Sequence, residues 1–305
     1  MGLFSKKPDP HGDAVAIAAM AKAAFAHLEV ETTIRAGDDL RDLELVASDG
    51  ARYPLFALMQ TCQAESSRRW PGIVTDHVRR LVATRSTDSK SLDAENLRRM
   101  VRARLIADVD DGSGIDFGYA RPVAPGLVLA LGVDYPETVS TLGSEAVAAL
   151  PLGVDELFDI GQRNTDAEPI DENSEVTDGI WSLSGSSLFI ASKVTAMENL
   201  IGPTLGPAPY GVVFAVPHRS LIFYTVPRDE QSILQVSTLA QLVATMAADT
   251  DAHLPGGLLS SGVYHWIDGT IELIGGTNPE TGAPYVDASG RFGEVVDSLI
   301  NEPTV

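Results

Sequence analysis

The residues best equipped for chemistry in this chain stand together in one short segment. Pro217, His218, Arg219 and Ser220 form a polar tip between two apolar runs in "GVVFAVPHRSLIFYTVPRD", residues 211–229. A histidine titrates near neutral pH, an arginine can clamp a carboxylate or phosphate through two parallel donors, and a serine adds a hydroxyl. Asp229 closes the second run and could orient the imidazole if the strand ends there. A polar tip is also what any hairpin of buried strands needs to reach water. The segment therefore reads either as a turn or as a binding or catalytic site built from His218, Arg219, Ser220 and Asp229.

Elsewhere the chemistry is thinner. "DVDDGSGID", residues 108–116, offers Asp108, Asp110, Asp111 and Asp116 as hard oxygen ligands. Its spacing fails for a calcium loop, because Ser113 falls where glycine is required and no glutamate closes the loop. No metal site is expected. The serines of "SGSS" (184–187) and "SSG" (260–262) lack the flanking glycines of a nucleophile elbow, and His265 alternates with Tyr264 and Trp266 as one side of a strand. No phosphate-cradling, dinucleotide-binding, zinc or redox motif is present, so no cofactor is expected. The single cysteine, Cys62, sits in an apolar helical pattern and reads as a buried, inert thiol.

Charge narrows the partners. The net charge of −20 is carried by the later part: residues 1–104 hold 16 Lys and Arg against 14 Asp and Glu, whereas residues 105–305 hold 6 against 28. Such acidity disfavours nucleic acid, whose phosphates need clustered cations. Only 68–104 is basic, with ten Lys and Arg against four Asp and Glu, and it could dock an acidic protein partner. No apolar run reaches the ~20 residues of a bilayer span, so no membrane association is expected. "MGLFSKKPDP" shows no secretory apolar core, so a cytoplasmic location is expected.

These residues must be positioned by elements that the patterning predicts. Ile17, Ala21, Phe25 and Leu28 space a helix over 13–28, and Leu43, Leu45 and Ala47 alternate into a hairpin at Asp49-Gly50. Helices follow over "LFALMQTCQAES" and after Pro71, the latter with Val74, Val78, Leu81 and Val82 inward. The polar "RSTDSKS" (85–91) predicts a linker. It divides a helix-hairpin-helix module, 1–90, from an acidic domain, 91–302.

Ser91 is a candidate cap for a helix that carries Leu97, Met100, Val101 and Leu105 inward and Arg98, Arg99 and Arg102 outward. "ARLIAD", "DFGYARPV" and "LVLALGVDY" read as strands, "VDELFDIGQRN" as a helix, and 166–178, with six acids and no Lys or Arg, as an exposed loop or edge. A strand pair around "GIWSLSGSSLFIA" and a helix over 191–200 precede the hairpin of the tip. Its strands are apolar on both faces and hence central. A helix over 233–246 and a last hairpin turning at Asp268-Gly269 complete an α+β fold, with mixed or antiparallel sheets, packed helices and a two-part architecture.

Several strings, "RARLI" before an acidic loop, "GVDELFDIGQRN", "IASKVTAMENL" and above all "GVVFAVPHRSLIF", resemble the YtpQ-like family of uncharacterised bacterial proteins. The resemblance spans nearly the whole chain. It implies a two-part α+β protein of the bacterial cytoplasm and brings no activity, substrate or cofactor. Similar proteins tend to have Asp where this chain has Ser220. The functional expectation is a non-enzymatic protein-interaction or regulatory module, the alternative being a small-molecule hydrolase or transferase using the Pro217–Ser220 tip.

Overall fold

The computed structural model describes residues 10–37, 40–47, 51–88, 92–108, 115–136, 138–249, 254, 257–278 and 281–301. The Asp49-Gly50 turn, Ser91 and most of the acidic loop 108–116 lie outside them. The fold is α+β, with three sheets and all strand pairs antiparallel in the registers seen. The chain divides into two compact units, Met1–Ser91 with Tyr135–Thr138, and Leu92–Asp134 with Val139–Val305.

In the first unit, α1 (Pro10–His27) buries Ile17, Ala21 and Phe25, as its spacing requires. Leu28, expected on the same face, lies beyond the helix and is 39% exposed. The sheet has three strands, β1 (Thr32–Arg35), β2 (Glu44–Ala47) and β3 (Arg52–Pro54), so the expected hairpin gains an unforeseen edge. Helices α2 (Phe56–Gln63) and α3 (Trp70–Asp88) complete the core, in which Cys62 is buried and its thiol pKa raised by desolvation. Residues 85–88, read as linker, instead continue α3.

The second unit begins with a helix shorter than its spacing predicts. Helix α4 is only Ala94–Met100, capped by Asp93, whose carboxylate accepts from the Asn96 amide at 2.8 Å. The chain then extends as β4 (Val101–Ala107), because Val101, Ala103 and Leu105 pair with the apolar β6 (Leu127–Tyr135) rather than continuing the helix. With β5 (Arg121–Ala124) and β7 (Thr138–Thr141) these make a four-stranded sheet.

After the short α5 (Ser144–Ala148), helix α6 (Val154–Asp166) packs on β4. A side chain at Gly161 would meet the Ala103 backbone nitrogen at 2.8 Å, so glycine permits the approach. Asn164 and Thr165 then bond the Val101 and Ala103 carbonyls at 2.8 and 2.9 Å.

The largest sheet runs β14-β13-β12-β10-β11-β9-β8. Its strands are β8 (Glu172–Thr177), β9 (Ile180–Ser184), β10 (Val212–His218), β11 (Leu221–Thr225), β12 (Val263–Ile267), β13 (Thr270–Thr277) and β14 (Pro284–Val286). The six-acid segment supplies the edge, β8. "GIWSLSGSSLFIA" forms one strand and not two, since β9 ends at Ser184 and pairs with β8 and β11. The expected helix over 191–200 is a 3-10 segment, Ala191–Asn199, kinked at Ala196.

β10 is central. Val212, Phe214 and Val216 join one core with Val194 and Met197, and Val213 and Ala215 join another with α7 (Gln231–Ala248) and α8 (Gly290–Asn301). The last hairpin turns at Asp268 and Gly269, both with positive φ, as a tight two-residue turn demands.

Candidate functional site

The tip forms as the register dictates. His218 faces Leu221 across the hairpin, leaving Arg219 and Ser220 as the two turn residues. They do not project into water, however. Residues 185–191 fold over them: the Gly185 amide donates to the Ser220 carbonyl at 3.3 Å and the Ala191 amide to the Arg219 carbonyl at 2.9 Å.

Ser220 is 7% exposed, and its hydroxyl donates to the Ser187 carbonyl at 2.9 Å. His218 is half-buried, and its Nδ1 accepts from the Ser220 amide at 3.3 Å. Desolvation lowers the pKa of His218 and of Arg219. The neutral imidazole is thus favoured, with its Nδ1 lone pair already engaged.

Asp229 is not brought to this group. β11 leads away from the tip for five residues, at about 3.3 Å each, before Asp229 is reached at its far end. There its carboxylate accepts from the Gln231 and Ser232 amides at 3.0 and 3.3 Å, covering the first turn of α7. The four residues singled out by sequence are divided between opposite ends of one hairpin.

Sequence reasoning missed Arg104. It lies on β4, is 7% exposed, and its guanidinium carbon stands 5.9 Å over the Phe189 ring. Its Nε has no hydrogen-bond partner among the described residues. Burial first and the charge of Arg219 second pull its pKa down to about 9, against the attraction of Asp134.

Close by, Arg102 bonds Glu168 at 2.7 Å and approaches Asp134 at 3.6 Å, so it does not point to solvent as expected. Lys193, 2% exposed, donates to the Asp166 carbonyl at 2.7 Å. The signal was present in "VRARLI": arginines alternating with apolar residues in a strand place a cation on a buried face.

The far end of the hairpin holds a cleft of about 350 Å³. Trp181, 37% exposed, stands on its wall, and opposite it in register Tyr224 donates its hydroxyl to Asn173 at 2.8 Å. The Gln235 carbonyl accepts from the Thr225 hydroxyl at 2.8 Å, and its amide end lies against Gly179, whose φ is +74°. Asp229 and Arg228 complete the polar wall. A second cleft, of about 340 Å³, lies in the first unit beside Lys22 and Thr32. His218, Arg219 and Ser220 line neither.

The remaining groups have structural duties. His265 is fully buried between the Tyr210 carbonyl at 2.9 Å and Glu272 at 3.3 Å. The Ser187 hydroxyl accepts from the Phe189 amide, and that of Ser260 bonds Tyr264 at 2.8 Å. Three arginines of the basic segment form ion pairs at the protein surface: Arg69 with Glu65, Arg79 with Asp76 and Arg98 with Glu156, at 3.0, 2.7 and 2.9 Å. No helix among the described residues is long and apolar enough to cross a membrane. No protein-family model, curated protein or solved structure matches this chain.

Proposed function

We propose that this chain is a protein-interaction or regulatory module of the bacterial cytoplasm, akin to the YtpQ-like proteins its strings resemble, and not an enzyme. The observation that carries the reading is the contrast between the two ends of the β10–β11 hairpin. At the tip, Ser220 and the main chain of Arg219 are spent on holding residues 185–191 in place. At the other end, an open cleft and an exposed strand edge face solvent. Recognition surfaces are built from accessible edges and clefts, whereas a hydrolase or transferase needs its nucleophile and base free to meet substrate.

The test is tagged purification from the native cell, followed by reconstitution with the purified candidate. A one-to-one complex in sedimentation is expected. Absence of any stoichiometric partner, together with a small-molecule turnover that His218→Ala abolishes, would replace this reading by the hydrolase or transferase alternative.

One observation favours a second ligand. The buried Arg104 guanidinium, its Nε without a hydrogen-bond partner among the described residues and the charge of Arg219 nearby, suits a carboxylate or phosphate group. Calorimetric titration with inorganic phosphate and, separately, acetate distinguishes the two anions. Heat that persists unchanged in Arg104→Met counts against this assignment.

A further inference from the structure

Resting on the interaction-module reading, the partner's chemistry follows from the outer edge of the seven-stranded sheet. β8 is the terminal strand, exposed along its length except at the half-buried Ser174. One side pairs with β9; the other presents main-chain donors and acceptors that a further strand could meet.

The edge is acidic. Asp171, Glu172, Glu175 and Asp178 lie in or beside β8, and among the described residues no lysine or arginine forms an ion pair with them. A second copy adding its own β8 would set these carboxylates against one another, which disfavours self-pairing. A segment carrying lysine or arginine meets the same carboxylates favourably.

The cleft adds an anchor point. Asn173 of β8 lines it, and Trp181, paired with Glu175 across β8 and β9, exposes its indole there. Alternate residues of an added strand point to that face. Leu205 and Val226 line the same cleft and add apolar surface to it. Strand addition of this kind draws affinity from main-chain bonds and selectivity from pockets that receive alternate side chains.

We propose that β8 receives an extended segment of a partner protein, rich in lysine or arginine, as an eighth strand, with one apolar or aromatic side chain seated against Trp181.

The experiment is selection of a displayed library of random twelve-residue peptides on the full-length protein. The best enriched sequence is then synthesised and its binding measured by fluorescence polarisation. The expected peptides have net positive charge and an apolar residue among the basic ones. Amide exchange of residues 171–178 should slow on binding, and Trp181→Ala should weaken affinity at least about tenfold, as loss of a central aromatic anchor does. Trp181→Phe should restore most of it. Glu172→Lys should weaken binding and flatten its salt dependence.

No enriched peptide, enriched peptides that are neutral or acidic, or exchange protection confined to other segments would overturn the proposal. Native purification separates the two readings. A stoichiometric partner that still binds Trp181→Ala and Glu172→Lys leaves the interaction module standing and removes the edge from it.

Discussion

The two ends of the β10–β11 hairpin use similar residue types to opposite effect. At the tip, His218, Arg219 and Ser220 are adjacent in sequence, and a loop 33 residues upstream closes over them through Ser187. At the far end, Asn173, Trp181, Arg228 and Gln235 come from separate elements and leave a cleft between them. Polar residues gathered in sequence have here become a fastening, and polar residues scattered through the chain an accessible surface. Adjacency in sequence is weak evidence of a site, because whether water or a ligand reaches a turn is decided by segments far from it.

The largest effect expected on this comparison comes from the strand joining both ends. Val213 is fully buried in the core shared with α7, so Val213→Asp places an unpartnered carboxylate there. The cost is several kcal/mol, against a typical total stability of about 5–15 kcal/mol. Circular dichroism should show the second unit unfolded at 25 °C. A cooperative melt retained within a few degrees of the parent would mean that β10 is not covered on both faces.

Next in size is Gly161→Ala. Its methyl group would press on the Ala103 nitrogen at 2.8 Å and the Arg102 carbonyl carbon at 3.0 Å, both main-chain atoms that cannot swing aside. Urea denaturation should show a loss of about 1–3 kcal/mol, the usual cost of overpacking. An unchanged midpoint would show that α6 can shift freely on β4, and the cations gathered around Arg102 and Arg104 would not be rigidly placed.

Much of this architecture was legible in the sequence, for reasons that also explain what was not. Val212–Val216, apolar at every position, predicted a strand covered on both faces, and the acids of 166–178 predicted an exposed loop or edge, of which the structure shows the edge strand Glu172–Thr177. Asp268-Gly269 announced its turn because positive φ at two successive positions restricts the residues allowed. The helix drawn through Leu105 failed because Leu97, Val101 and Leu105 satisfy a helical period, while β6 offers Val101–Ala107 a full ladder of partners.

β1 and β14 are too short to show a period. The strings "GQRN" and "IASKVTAMENL" are structural: Asn164 and Ser192 bond β4, and Lys193 bonds the Asp166 carbonyl. Arg104 was visible as a residue, but its burial is a property of the sheet and of Phe189, 85 positions away.

A smaller effect tests the fastening itself. Ser220→Ala removes the hydroxyl that donates to the Ser187 carbonyl and leaves that acceptor to find water. A loss of about 1 kcal/mol is expected in urea denaturation. Hydrogen exchange should rise in residues 185–191 and remain unchanged around Trp181. Faster exchange at both ends would mean that the hairpin opens as one unit, and the contrast drawn between its ends would fail.

The smallest effect concerns His218 and depends on pH. Burial lowers its pKa below the ordinary 6.5, and the Ser220 amide occupies the Nδ1 lone pair that a proton would need. The unfolded chain therefore binds a proton at a pH where the folded chain does not. Folding loses stability as pH falls from about 6.5 toward the lower folded value and loses no more from this group below it. Replacing His218 by Gln removes the titration. At pH 8, where both forms of the histidine are neutral, the two proteins should differ by less than about 0.5 kcal/mol. Between pH 6.5 and 5 the parent should lose stability more steeply than His218→Gln in paired urea titrations. Parallel slopes would mean that the imidazole reaches water freely, so that the tip is open in the way the far cleft is. A steeper slope in His218→Gln would reverse the sign of the effect and place an acidic group beside the ring.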